Sequence, residues 1–142
     1  QLIWQVGKRY FDQIKDNEKL KEFKNVHAMP FIKKMDLAYE VADLVISRAG
    51  ALSISEITLT GKASLLIPSP NVAEDHQRKN AMALVKQKAA VLVNDNETRS
   101  ALEKALVLLK DEKQILEISK NAKRMGKPNA ASDIVNEIEK LI

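Results

Sequence analysis

The chain has 142 residues, of which 45% are hydrophobic and 30% charged, and this size and composition are typical of one globular domain. It contains no cysteine, which excludes disulfide bonds and thiolate chemistry, and no apolar run approaches the roughly 18 residues of a transmembrane helix. The 23 basic and 19 acidic residues are interspersed, so the net charge of +4 predicts no nucleic-acid-binding surface.

Short apolar runs alternate with amphipathic segments along the chain, and this order predicts an α/β fold. We expect strands at 2–6, 25–29, 44–46, 64–67 and 90–93, of which the first, third and fourth are buried. The spacing of apolar residues predicts helices over 10–23, 35–42, 74–86, 102–109 and 115–125, and a last one reaching Ile142. Asn96 is the expected cap of the helix over 102–109, and Gly126 the expected end of the next. Strands in this order form a parallel sheet with helices on both faces, which binds ligands at the carboxyl ends of its strands.

The segment 44–56, LVISRAGALSISE, combines a strand, a glycine-containing turn and the start of a helix. Ser53 and Glu56 have the S-x-x-E spacing of a capping box. Such a unit exposes backbone N–H groups and the positive end of a helix dipole, and both favour phosphate. Arg48 adds a positive charge, and Glu56 offers a carboxylate to ribose hydroxyls. We predict a nucleotide-diphosphate site here, and the alternative is a capped helix start that binds no ligand.

Other residues give weaker indications of function. The two histidines, His27 and His76, form no spaced cluster with carboxylates, so we expect no protein metal site. Without further information, His27 is expected to be structural and His76 to be an exposed loop residue. The basic residues within 120–127 leave two interpretations open, contact with an anionic membrane surface or a solvated helix end.

The stretch FIKKMDLAYEVADLVISRAGALSISE, followed by Gly61 and the tract PSPNVAEDHQRKNA, resembles the carboxyl-terminal half of the MurG family of peptidoglycan glycosyltransferases. The likeness covers nearly all of the chain and is densest over 30–81. It implies a Rossmann-like parallel sheet with helices on both faces, as in the donor half of a two-domain GT-B glycosyltransferase. It also implies that residues 1–142 are a single partial domain of a longer protein, without the first strand and glycine-rich loop of the family's domain.

The family moves N-acetylglucosamine from UDP-N-acetylglucosamine (UDP-GlcNAc) onto the membrane lipid called lipid I, which makes lipid II for peptidoglycan, cell shape and cell division. The resemblance implies that this chain binds the donor, and that an amino-terminal domain outside it binds lipid I and carries the general base. It therefore implies a hexosyltransferase in the full-length protein, on the cytoplasmic inner face of the plasma membrane and peripheral to it. It implies no catalytic residue, cofactor or transfer activity for these 142 residues alone.

Two other functions remain open on the sequence. The first is another UDP-sugar enzyme of the same two-domain architecture, such as an epimerase or a different glycosyltransferase, because a fold does not determine the chemistry of its site. The second is a non-catalytic α/β domain that binds a nucleotide.

The resemblance implies residues for both ends of the donor. The backbone of Ile32 would hydrogen-bond the uracil edge, with Phe31 and Met35 flanking the base. From the residues alone, Phe31 and Met35 would instead be expected in the core. At the other end, His76 and Gln77 would face the sugar hydroxyls. The family often has two adjacent glutamines here, so which of His76 and Gln77 contacts the sugar stays open.

The resemblance also implies residues for the middle of the donor. Backbone N–H groups after the Gly50 turn would bind the diphosphate and sugar, namely those of Ala51, Leu52 and Ser53. Glu56 would accept hydrogen bonds from the ribose hydroxyls. Arg48 would support the loop or contact the phosphates, and Asn80 would cap or brace the loop.

Overall fold

A computed structural model describes residues 1–70 and 75–141 of the chain. The predicted helix start at Glu74 and the predicted contribution of Ile142 to the last helix lie outside the described residues. The chain forms two compact units, Gln1–Val41 and Ala42–Ile142. Among the described residues, no helix is both long enough and apolar enough to cross a bilayer.

The first unit contains a two-stranded parallel sheet and three short helices. The strands are β1 (Leu2–Gln5) and β2 (Val26–Met29), and the helices are α1 (Lys8–Ile14), α2 (Glu18–Glu22) and α3 (Met35–Val41). The two strands are in register from Leu2 opposite Val26 to Gln5 opposite Met29. The carboxyl end of β1 is further tied to β2, because the Val6 N–H donates to the Met29 carbonyl over 2.9 Å.

Two predictions for the first unit are wrong. The single helix expected over 10–23 is divided into α1 and α2, because the Asn17 side chain accepts the Leu20 N–H and begins a new helix. The strand β1 is not buried, and Trp4 is 41% exposed. An apolar run is buried only where other elements cover it, and the sheet of described residues that contains β1 has only one other strand.

The second unit contains a three-stranded parallel sheet with β4 at its centre. Its strands are β3 (Val45–Ser47), β4 (Ser64–Leu66) and β5 (Val91–Leu92). Its helices are α4 (Ala51–Thr60), α5 (His76–Lys86), α6 (Thr98–Leu109), α7 (Glu112–Met125) and α8 (Ala130–Glu139), with a 3-10 turn at Asp95–Glu97. The predicted α/β class with parallel strands is confirmed, although the described strands form two sheets.

The core of the second unit lies around β4. All three residues of β4 are buried, as predicted for this strand. Leu65 packs with Val93, which follows β5 directly, and with Ala101 and Ala105 of α6. The prediction of a buried β3 is only partly correct, since Ile46 is 40% exposed. The reason is that β3 lies at the edge of this sheet, whereas β4 has a strand on each side.

Helices α4 and α7 pack against each other, and the carboxyl ends of both take part in the contact. Helix α7 ends at Gly126, as predicted. A Cβ atom on Gly126 would lie 2.7 Å from the Thr58 carbonyl oxygen, so a glycine is needed for this approach of two backbones. The Lys123 Nζ donates to the Leu59 carbonyl over 2.6 Å. This bond satisfies one of the carbonyls that the end of α4 leaves without a partner in the helix.

Candidate functional site

The first turn of α4 has the geometry of an anion-binding site. Gly50 is the N-cap, with φ −66° and ψ 151°, and its carbonyl accepts the Ile54 N–H over 2.9 Å. Hydrogen bonding in an α-helix begins with this pair, so three earlier N–H groups have no acceptor within the helix, those of Ala51, Leu52 and Ser53. They lie at the positive end of the helix dipole, where negative charge is stabilised.

The capping box predicted for Ser53 and Glu56 is wrong. The helix begins directly after Gly50, so Ser53 is its third residue and Glu56 its sixth. Glycine is accepted at an N-cap almost as readily as serine, and here the chain enters the helix at the earlier of the two candidates. The N-cap of α4 is therefore Gly50 and not Ser53, and the ribose contact of Glu56 stays a prediction.

Side chains from neighbouring elements brace the loop between β3 and α4. The Asn80 Nδ2 donates to the carbonyl of the fully buried Ala49 over 3.1 Å. The Arg48 Nη1 donates to the Ile67 carbonyl over 3.2 Å and forms an ion pair with Asp95. The prediction that Asn80 braces the loop is confirmed. The two contacts of Arg48 support the loop, and the phosphate contact considered for Arg48 stays a prediction. Asp95 was not identified from the sequence, since it lies 47 residues from Arg48.

The residues predicted for the sugar lie at the start of α5. Gln77 is the second residue of α5 and is half-buried, and its Oε1 accepts the Ser69 N–H over 2.8 Å. This bond joins the helix to the segment that follows β4. His76 is the first residue of the helix and is exposed. The assignment of the sugar contact to one of these two residues stays a prediction.

In the first unit, the residues predicted for the base follow β2. Phe31 is 59% exposed, so the alternative that it belongs to the core is wrong. Ile32 and Met35 are half-buried, and Met35 begins α3. The Ile32 N–H donates to the Gln5 Oε1 over 2.9 Å. This contact was not predicted from the sequence. The one feature of the sequence that points to it is that Gln5 is a polar residue at the end of an otherwise apolar strand.

A chain of polar contacts leads from α5 to α6. The Arg78 guanidinium donates to the Asn94 side chain, which in turn donates to the Glu97 carboxylate over 3.2 Å. Hydrogen bonds from Lys104 and Asn94 to this carboxylate lower the pKa of Glu97. The prediction that Asn96 caps α6 is wrong, because the helix begins after the 3-10 turn and its N-cap is Glu97. The described part of the chain contains no group of three or more histidine and carboxylate side chains that could hold a metal ion.

The chain is similar to known proteins over its whole length. A model of the glycosyltransferase family 28 C-terminal domain matches residues 1–137. The chain is 48% identical to the UDP-N-acetylglucosamine--N-acetylmuramyl-(pentapeptide) pyrophosphoryl-undecaprenol N-acetylglucosamine transferase of Christiangramia forsetii. It is 46% identical to the protein of the same name from Flavobacterium psychrophilum. Each match covers 100% of this chain but 38% of the relative, so the chain spans little more than a third of their length.

A solved structure gives the same result for the fold. The chain matches the crystal structure of Acinetobacter baumannii MurG with a TM-score of 0.82 and 28% sequence identity. The match covers 97% of this chain and 40% of that one.

Proposed function

The chain belongs to the family of glycosyltransferase family 28 C-terminal domains, and from this we propose that it is the donor-binding part of an N-acetylglucosaminyltransferase. The full-length protein would transfer N-acetylglucosamine from UDP-GlcNAc to lipid I and release UDP. Residues 1–142 would be a single partial domain that binds UDP-GlcNAc, and the rest of the protein would bind lipid I. This assignment is supported by relatives whose names state that reaction and of which the chain spans 38%.

The observation that carries the proposal is the braced first turn of α4. Three backbone N–H groups point out of the helix start, and side chains of Asn80 and Arg48 hold the preceding loop in place. A site that is rigid before the ligand arrives loses little conformational entropy when it binds. A diphosphate is the part of the donor whose charge matches these N–H groups and the helix dipole.

The first unit supplies the proposed contacts to the base. The exposed ring of Phe31 and the half-buried Met35 would flank the uracil, and the Ile32 backbone would contact its polar edge. An aromatic ring that stacks on a base contributes about 1–3 kcal/mol to binding. The exposed ring of Phe31 would therefore gain a stacking partner, the uracil, when the donor binds.

The second unit supplies the proposed contacts to the ribose and the sugar. The Glu56 carboxylate would accept hydrogen bonds from both ribose hydroxyls, since an ionised carboxylate accepts but does not donate. Gln77 already uses its Oε1 to accept the Ser69 N–H, so its amide nitrogen would donate to a sugar hydroxyl. His76 would be the second candidate for that contact.

In the proposed reaction, a hydroxyl of lipid I attacks the anomeric carbon with inversion while UDP leaves. Charge grows on the leaving diphosphate, and the N–H groups of Ala51, Leu52 and Ser53 would stabilise it more strongly in the transition state than in the bound donor. The attacking hydroxyl needs a general base, which we assign to the part of the protein outside these residues. Residues 1–142 alone should therefore transfer no sugar.

The same division of labour supports the proposed location. The acceptor carries an undecaprenyl chain, which lies in a bilayer, whereas the charged donor is dissolved in the cytoplasm. An enzyme that joins the two would work at the inner face of the plasma membrane and be peripheral to it. The basic residues of 120–127 remain a candidate contact with that surface.

The test is nucleotide selectivity of the complete protein, measured by isothermal titration calorimetry. We expect UDP to bind about 10-fold more tightly than ADP or GDP, because a polar base edge without its partner costs about 1–3 kcal/mol. UDP-GlcNAc should compete with UDP for the same site. Equal affinity for the three nucleotides would reject reading of the base, and no binding of UDP would reject the proposed donor site.

A further inference from the structure

Arg48 joins the three strands of the second sheet at their carboxyl ends. It follows the last residue of β3, and its Nη1 donates over 3.2 Å to the carbonyl of Ile67, the residue after β4. The same nitrogen donates to the Oδ1 of Asp95, which begins the 3-10 turn after β5. Parallel strands end at one edge of a sheet, so one side chain at that edge can contact the segments that follow all three. The guanidinium therefore fixes the segment after β3 to those after β4 and β5.

The turn that carries Asp95 is itself anchored by two helices. The Arg78 Nη1 of α5 donates to the Asn94 Oδ1 over 3.1 Å, and the Asn94 Nδ2 donates to a carboxylate oxygen of Glu97 over 3.2 Å. The Lys104 Nζ of α6 donates to the other oxygen of this carboxylate over 2.8 Å. These bonds hold the turn on both sides of Asp95. The carboxylate of Asp95 is therefore presented from a supported position, as a residue that orients another must be.

Arg48 in turn restrains the loop that leads to the proposed diphosphate site. The residue after it, Ala49, is fully buried, and the next one, Gly50, is the N-cap of α4. Asn80 holds the Ala49 carbonyl, and Arg48 holds the residue before it. The first N–H groups of α4 follow directly, so a displacement of Arg48 also displaces them. Hydrogen-bond donors act on a ligand only when they are held close to the required geometry.

We propose that Asp95 is a positioning residue of the donor site, which holds Arg48 and, through it, the loop whose N–H groups face the diphosphate. This inference rests on the proposed donor site, from which it takes the position of the diphosphate at the first turn of α4. Exposed fractions of 51% for the Arg48 side chain and 35% for that of Asp95 limit the strength of the ion pair. Pairs of this kind contribute up to about 1 kcal/mol, which corresponds to about 5-fold in affinity.

The test compares Asp95→Ala with Asp95→Asn in the complete protein. Both variants lack the charge, but asparagine keeps an oxygen that can accept from Arg48, so the difference between them isolates this contact. We expect Asp95→Ala to bind UDP about 3- to 5-fold more weakly than the wild type and Asp95→Asn in calorimetry. Uridine, which has no diphosphate, should bind all three proteins equally in ligand-observed NMR. Asp43→Ala removes an exposed carboxylate before the amino end of β3 and is the matched control, which should bind both ligands like the wild type.

A double-mutant cycle shows whether Asp95 acts through Arg48. In Arg48→Met, which has no guanidinium, the additional change Asp95→Ala should cause no further loss of UDP affinity, because the group that Asp95 holds is already gone. The melting temperatures of the ligand-free wild type and Asp95→Ala should be similar, since a half-exposed ion pair contributes little to stability. A loss of affinity for UDP alone, at unchanged stability, is the result that separates positioning of the loop from support of the fold.

Five outcomes would overturn the inference. Wild-type affinity for UDP in Asp95→Ala would leave the ion pair as a surface contact. Tighter UDP binding by both Asp95 variants would mean that the carboxylate acts only by repelling the diphosphate. Equal losses for uridine and UDP would mean a general effect on the fold. A further loss in the Arg48→Met background would mean that Asp95 acts by another route. No binding of UDP by the wild type would overturn the donor site as well, whereas the other four outcomes leave it standing.

Discussion

Replacing Ala51 with proline removes one proposed phosphate-binding donor and keeps the helix. Ala51 is the first residue of α4, and its N–H has no acceptor within the helix. Proline is favoured at this position, because the N–H that it lacks is not used by the helix. Gly50, with φ −66° and ψ 151°, already has the extended conformation that a residue before proline adopts.

The magnitude follows from the lost contact. A hydrogen bond to a charged group contributes about 1.5–3 kcal/mol, so Ala51→Pro should weaken UDP binding by about 10- to 150-fold. The stability of the ligand-free protein should stay unchanged or rise by about 0.4–1 kcal/mol, since proline restricts the unfolded chain. A loss of affinity without a loss of stability is the result that distinguishes a phosphate donor from a structural residue.

The assay combines calorimetry of UDP binding with thermal unfolding of the ligand-free protein. Ala51→Val keeps the N–H and adds comparable bulk, so it should bind UDP nearly as well as the wild type. Glu18→Pro makes the same backbone change at the first residue of α2 and should not affect UDP binding. The reasoning is refuted if Ala51→Pro binds UDP normally, or if Ala51→Val loses as much affinity as Ala51→Pro.

Three further predictions concern other residues. Glu56→Gln should weaken UDP-GlcNAc binding by about 1–3 kcal/mol in calorimetry, and an unchanged affinity would contradict the ribose contact. Gly126→Ala should lower the free energy of unfolding in urea by about 1–3 kcal/mol, because its Cβ would lie 2.7 Å from the Thr58 carbonyl oxygen; unchanged stability would show that the two backbones separate easily. Lys104→Met should raise the pKa of Glu97 toward the ordinary glutamate value in an NMR titration. Because the pKa of Glu97 is lowered in the folded protein, its contacts stabilise the fold at pH values above the ordinary glutamate pKa. This stabilisation is lost as the pH falls through the lowered pKa of the folded protein. An unchanged pKa of Glu97 in Lys104→Met would exclude the lysine as the cause.

The elements that the sequence predicted well are those determined by local pattern. The run from Ser64 to Leu66 is short, mostly apolar and soon followed by Pro68, and it forms the fully buried central strand. Gly126 follows an amphipathic segment and ends α7 as expected. In both cases one stretch of a few residues contains the whole signal, so no knowledge of the rest of the chain is needed.

The predictions that were wrong depended on a choice between competing local signals. Gly50 and Ser53 are both acceptable N-caps, and the structure begins the helix at the earlier one. Asn17 lies within an amphipathic pattern that continues on both sides, and its side chain divides the predicted helix in two. Ile46 has the apolar character of a buried residue but belongs to an edge strand. Local propensities were similar in each case, and the surrounding structure decided between them.

The details of the candidate site could not be obtained from spacing at all. The contacts that hold it join residues far apart in the chain, such as Gln5 with Ile32 and Asn80 with Ala49. No periodicity connects such pairs, because each depends on which strands and helices become neighbours. The family resemblance supplied residue names for the site but not the bond between Gln5 and Ile32.

The close contact at the far end of α4 has a consequence for how this protein tolerates mutation. Lys123 and Gly126 hold the last turn of α4, about 12 Å along the helix from the N–H groups proposed to bind phosphate. A helix moves as a stiff rod, so a displacement at its last turn also displaces its first turn. Substitutions in α7 should therefore show epistasis with substitutions at the start of α4, so that the combined effect exceeds the sum of the two single effects. A deep mutational scan of double variants would then find inactivating pairs in which one substitution lies in α7, a helix that has no proposed contact with the donor.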